Sequence, residues 1–141
     1  MFKVIRFTSE NTTLASQALD IRKKVFVEEQ GVHPTLENDH EDEAMHFLLF
    51  LLEKPIATAR WRETVKGIKL ERFAVLPEFR NRGIGEIILK AVLEDVAPLE
   101  KPIYLHAQTK AVSFYERNGF EKVGEQFTEA GLEHYLMTYS R

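Results

Sequence analysis

The stretch that most constrains this chain is Leu70–Val96, LERFAVLPEFRNRGIGEIILKAVLEDV, which reads as a strand, a tight glycine-bearing turn and a helix. Leu70 to Val75 is rich in apolar residues and short enough for a buried strand. Pro77 has no N–H for a sheet ladder and ends it. Ile84, Ile87, Ile88, Ala91 and Val92 then recur at helical spacing, with Glu86, Lys90 and Glu94 four apart on the opposite face. Between strand and helix lie Arg80, Asn81, Arg82, Gly83, Ile84 and Gly85. A helix N-terminus exposes unpaired N–H groups and carries partial positive charge, so arginines gain nothing from it. They make sense if an anion sits between them and a backbone that Gly83 and Gly85 leave free to turn and be approached. An ordinary turn with solvated arginines is the alternative. The glycine spacing is not that of a dinucleotide fold, and no Lys-Ser/Thr follows as in a P-loop, so the turn points to a phosphate but not to a magnesium nucleotide.

The remainder of the chain narrows the class. A length of 141 residues fits one domain spanning residues 1–141, with a substantial core. A net charge of −3 without a basic cluster argues against a nucleic-acid partner. With no cysteine, disulfides, Cys-ligated zinc and a cysteine–acyl intermediate are excluded. The opening MFKVIRFTSENTT does not read as a secretory signal, and the longest later apolar run, Phe47 to Leu52, is too short to span a bilayer. No membrane partner and a cytoplasmic location are therefore expected.

Lys3 to Phe7 reads as a first strand. Ser9 or Asn11 can cap a helix carrying Leu14, Ala18, Ile21, Val25 and Phe26, which ends near Gly31. Glu37 to Glu43 holds five carboxylates in seven residues, read either as a solvated acidic loop or as an electrostatic guide for a cationic amine. His33, His40 and these carboxylates lack regular ligand spacing, so no metal is expected. Met45–Leu52, Ile56–Glu63 and Ile68–Val75 read as three strands with turns at Lys54-Pro55 and Lys66-Gly67. Ile103–Ala107 is a short strand and Lys110–Arg117 a helix stopped by Asn118-Gly119. Phe120–Val123 and Glu133–Tyr139 are the last strands, joined across Thr128–Leu132. The order predicts an α+β fold, a mixed sheet with helices on both faces.

Arg80-Asn81-Arg82-Gly83-Ile84-Gly85, after Phe73-Ala74-Val75-Leu76-Pro77, resembles the R/Q-x-x-G-x-G/A signature of the GNAT superfamily of N-acetyltransferases. Ala111-Val112-Ser113-Phe114-Tyr115-Glu116-Arg117-Asn118-Gly119-Phe120 resembles that superfamily's F-Y-x-x-x-G-F segment. VFVEEQGV, LHAQTKAV and FTEAGLEHYLM are similar to its ElaA/YjcF-like branch. The resemblance implies a mostly antiparallel sheet of six or seven strands, splayed open beside Phe73–Val75. It implies acetyl-CoA as cosubstrate, its arm against the backbone of Phe73, Ala74 and Val75 and its diphosphate on Arg80, Asn81, Arg82, Gly83, Ile84 and Gly85. Gln108 and Ser113 then bond the arm or merely cap a helix. Tyr115 matches the family's general acid, a packing aromatic being the alternative.

For the base, strand alternation puts Glu71 on the face of Phe73, where it takes the amine proton through water or forms an ion pair with Arg60, Arg62 or Arg72. His106 is the second candidate. Glu29 and His134 are expected to line the pocket of a small-molecule or peptide amine acceptor. The branch often has proline where this chain has Glu133, and asparagine where it has His106, which leaves the acceptor open. A homodimer is also left open. The rival readings are a non-catalytic acyl-CoA sensor on the same fold and a plain phosphate- or nucleotide-binding domain.

Overall fold

A computed structural model describes residues 1–33 and 39–140. Strand β1 (Phe2–Phe7) leads into helix α1 (Thr12–Arg22), whose first turn is capped by the Asn11 side chain accepting from the Leu14 N–H at 3.1 Å. The helix runs on as a π-helical segment, Lys23–Glu29, a widened turn that the apolar spacing alone does not reveal. Strands β2 (Met45–Leu51), β3 (Lys54–Thr64) and β4 (Gly67–Val75) form a meander. Helix α2 (Ile84–Val96), β5 (Ile103–Gln108), helix α3 (Val112–Arg117), β6 (Phe120–Glu129) and β7 (Leu132–Tyr139) follow. The seven strands lie in the order β1-β2-β3-β4-β5-β7-β6. Every neighbouring pair is antiparallel except β4–β5. The mixed sheet with helices on both faces is thus the fold expected. Among the described residues no helix is long and apolar enough to cross a membrane.

Two boundaries differ for physical reasons. The β2–β3 turn lies at Leu52-Glu53, and Pro55 sits inside β3 at a register irregularity between Leu49 and Phe50, a place where its missing N–H is tolerated. Strand β6 extends to Glu129 instead of stopping near Val123, because it is an exposed edge strand and shows no apolar alternation.

The sheet separates two cores. Ile84, Ile88, Leu89 and Val92 of α2 pack with Ala57, Ala59, Ile68, Leu70, Leu105 and Met137 on one face. Ala18, Ile21 and Val25 pack with Phe7, Leu48, Ala74 and Leu76 on the other. Strand β4 changes phase between these faces. Arg60 pairs with Glu71 but Thr58 pairs with Ala74, so β4 carries one extra residue, and Arg72 takes φ 58°. The bulge overturns the expectation that Glu71 and Phe73 share a face. Glu71 and Ala74 look toward α1, while Phe73 and Val75 pack in the α2 core.

The acidic run is also corrected. Glu37 lies outside the described residues, but Glu41 accepts from the buried Arg22 at 2.6 Å and from the fully buried Arg60 at 2.7 Å. Asp39 meets Arg60 at 3.3 Å and Arg72 at 2.8 Å. These carboxylates neutralise arginines that could not be buried alone. Glu41 and Asp39 are thus committed to arginines, while Asp42 and Glu43 remain exposed.

Candidate active site

Strands β4 and β5 pair only from Ile68 to Leu70 against Ile103 to Leu105, and then part. Below the fork, β4 runs on to Val75 and β5 to Gln108 without pairing to each other. A cavity of about 770 Å³ fills the gap. Phe73, Val75, Gly85, Phe114 and Tyr115 line it from the α2 core, and Arg62, Lys69, Glu71, His106, Gln108 and His134 from the α1 face. The opening therefore passes through the sheet, from one face to the other.

At the α2 end lies the turn singled out by the sequence. Asn81 at φ 64° and Gly83 at φ 76° put two left-handed residues into it, and Gly83 is the N-cap of α2. Among the described residues, the backbone N–H groups from Asn81 to Glu86 have no protein acceptor. Unpaired amides around a left-handed turn at the head of a 13-residue helix form an anion-binding concavity. The two glycines differ in purpose. A Cβ on Gly83 would meet nothing within 4 Å, so its left-handed φ is the constraint. A Cβ on Gly85 would stand 3.3 Å from the Phe114 ring, so Gly85 serves close packing of α2 on α3. Ile84 offers only its backbone, its side chain being buried in the core.

The arginines behave differently from expectation. Arg80 Nε donates to the Val75 carbonyl at 3.0 Å, and its Nη1 and Nη2 both reach the Glu29 carboxylate at 2.7 Å. Each of its three nitrogens thus has a partner, and Glu29 belongs to this clamp and is not among the cavity-lining residues. The Glu29 pKa is lowered by that bond. Arg82 lies over the Phe79 ring at 5.6 Å, outside the cavity lining. Ser113 is exposed, also off the cavity, and makes no cap bond. Gln108 does line the cavity, with its amide donating to Gln30 Oε1 at 2.8 Å. Glu29 and Gln30 together tie the end of the π-helical segment to both sides of the fork.

Tyr115 is buried between Phe73, Phe114 and Phe120, at ring-centroid distances of 6.2, 5.1 and 5.7 Å. Its hydroxyl bonds to no protein group among the described residues, and burial pushes its pKa well up. It is a protonated donor without a partner, opening on the fork.

Glu71 takes the ion-pair alternative, with Arg60 at 3.0 Å, Arg62 at 2.9 Å and Lys69 at 3.3 Å. Its partners are Arg60, Arg62 and Lys69; Arg72 pairs with Asp39 instead. Burial pushes the carboxyl up, but Arg60, the Arg62 bond and Lys69 outweigh that and hold its pKa at about 2. A carboxylate so stabilised is a weak base.

His106 donates from Nδ1 to Glu129 Oε1 at 3.0 Å, which leaves Nε2 as the acceptor nitrogen. The Glu129 pKa is lowered chiefly by that bond. Glu129 lies six residues beyond Val123, past the end of the apolar signal for β6, so the sequence does not point to it. His134 donates from Nδ1 to the Leu132 carbonyl at 2.8 Å, stacks on Phe127 and lines the cavity. Among the described residues, no group of three His, Asp or Glu is placed to hold a metal, and His40 bonds Glu43 at 3.0 Å.

The fold recurs in known proteins. The model of the acetyltransferase (GNAT) domain matches residues 9–141. The uncharacterized N-acetyltransferase YjcF of Bacillus subtilis is 37% identical over 132 residues, covering 92% of this chain and 94% of its own. The crystal structure of Escherichia coli ElaA superposes with a TM-score of 0.86 at 24% identity, over 97% of this chain and 99% of that one. The PaiA N-acetyltransferase of Thermoplasma acidophilum, solved in complex with coenzyme A, does so at 0.69 and 16% identity, over 100% and 99%.

Proposed function

The chain belongs to the GNAT acetyltransferase family, in its ElaA/YjcF-like branch, and from that premise we propose that it moves an acetyl group from acetyl-CoA directly to a primary amine. The observation that carries the reading is the pairing of two unfilled donors along one cleft. The amides of residues 81–86 lack acceptors at one end, and the Tyr115 phenol lacks one at the fork. A diphosphate answers the first, and a thioester sulfur the second. The parted strand edge beyond Leu70 offers backbone groups to an amide-bearing arm along Phe73 to Val75. Neighbouring GNAT structures include one with coenzyme A bound.

The residues divide the chemistry as follows. The acceptor enters from the α1 face, where His106 Nε2 takes the amine proton while Glu129 holds Nδ1. The amine nitrogen attacks the thioester carbonyl carbon, the carbon–sulfur bond breaks, and Tyr115 donates its proton to the leaving thiolate. Burial keeps that phenol protonated across the whole neutral range. Glu71 anchors the cations around it and carries no proton. The test is thiol release from acetyl-CoA across a broad amine panel, with titration calorimetry of coenzyme A and ATP. Coenzyme A binding with turnover of at least one amine is expected. Coenzyme A binding with no thiol release identifies a sensor, and preference for ATP a nucleotide-binding domain; either overturns the reading.

A further inference from the structure

The α1 face of the fork holds more cation than its carboxylates use. Arg62 and Lys69 are register partners on β3 and β4, with side chains only 15% and 14% exposed, and both line the cavity. They share a single carboxylate, Glu71, which also serves Arg60. Arg62 meets it through Nε alone, and its Nη1 and Nη2 have no partner among the described residues. Lys69 Nζ stands 3.3 Å from Glu71 Oε2, and its charge also helps to lower the Glu129 pKa. The other carboxylates nearby are committed elsewhere, Asp39 to Arg60 and Arg72, Glu43 to His40, and Glu129 chiefly to His106. The unfilled Nη edge opens on the cavity, where an oxyanion can complete it with charge-assisted, bidentate bonds.

We propose that Arg62, supported by Lys69, binds an oxyanion on the acceptor, so that the substrate is a primary amine of the amino-acid kind, carrying a carboxylate. This rests on the acetyl-transfer reading of the same cleft. Lys69 is the register partner of both Arg62 and Tyr104, and His106 lies two residues along β5 from Tyr104. With strands ~4.8 Å apart and ~3.3 Å of rise per residue, the Cα atoms of Arg62 and His106 stand roughly 12 Å apart. Their side chains close most of that span, leaving room for the few bonds between an amine and its carboxylate. A polyamine would instead set a second cation against Arg62 and Lys69.

The experiment compares amino acids with their decarboxylated counterparts in thiol release: lysine with cadaverine, tyrosine with tyramine, 4-aminobutyrate with propylamine. Aminoethyl phosphate against ethanolamine distinguishes phosphate from carboxylate as the oxyanion. In at least one pair the anionic member should win by about 10- to 100-fold in kcat/KM. Arg62→Gln should collapse that ratio toward one, and Arg62→Lys should keep part of it. The wild-type ratios test the idea even if a variant folds poorly. Preference for the decarboxylated member in every pair, or a ratio untouched by Arg62→Gln, overturns this inference while acetyl transfer stands. Thiol release from no amine at all overturns both.

Discussion

Replacing Glu71 with glutamine separates two readings of the same residue. Glu71 is 4% exposed in its side chain and lies between Arg60, Arg62 and Lys69. A carboxyl whose pKa falls from 4.5 to about 2 on folding contributes about 3 kcal/mol of stability, taking 1.36 kcal/mol for each pKa unit. The sign follows from the depression: the contribution is complete above the unfolded pKa and is lost as pH falls from about 5 toward 2. Removing one member of a buried ion cluster costs about 3–5 kcal/mol by an independent route, which agrees. For a domain of this length, that is a fall in melting temperature of roughly 10 °C at pH 7. Calorimetric melting of wild type and Glu71→Gln between pH 7 and pH 2 should show a gap that closes as the acid end is approached. A variant that melts within about 2 °C of wild type at pH 7, yet has lost turnover and its pH dependence, would refute the argument and make Glu71 the base.

Tyr115→Phe removes a hydroxyl with no protein partner, so melting should move by less than about 3 °C and coenzyme A affinity should hold, while kcat falls by about 100-fold or more. Unchanged turnover removes the acid assignment. Glu129→Gln should lower kcat/KM, since the carboxylate that holds His106 Nδ1 and leaves Nε2 as the acceptor is lost. An unchanged kcat/KM puts the base elsewhere. Gly83→Ala forces a side chain into φ 76°, at a cost of about 1–2 kcal/mol, and should weaken coenzyme A binding in calorimetry by distorting the amide concavity. Unchanged affinity would place the diphosphate elsewhere.

Much of this architecture could be read before any coordinates. The strand–turn–helix at Leu70–Val96 is local, and its apolar spacing, its proline and its glycines carry the information in adjacent residues. What escaped reading depends on distant partners. The bulge at Arg72 exists only in the register of β4 against β3, so simple alternation placed Glu71 beside Phe73 when they face opposite ways. Asp39 and Glu41 look solvated in sequence because Arg22 and Arg60, which they neutralise, lie about twenty residues away on either side. Glu29 reaches Arg80 across 51 residues, which turned an expected acceptor contact and an expected diphosphate ligand into each other's partners. The backbone amides of the turn are unpaired, Arg80 lines the cavity while bonded to Glu29, and Arg82 and Ser113 lie off the cavity lining. Glu129 became visible only once β6 ran its full length along β7 and brought that carboxylate to His106.

The most direct measurement is a crystal structure grown with coenzyme A. The account predicts diphosphate oxygens within hydrogen-bond distance of the amides between Asn81 and Glu86, and the sulfur at the fork beside the Tyr115 hydroxyl. Coenzyme A lying along another surface, with those amides facing solvent and Tyr115 remote from the sulfur, would contradict it.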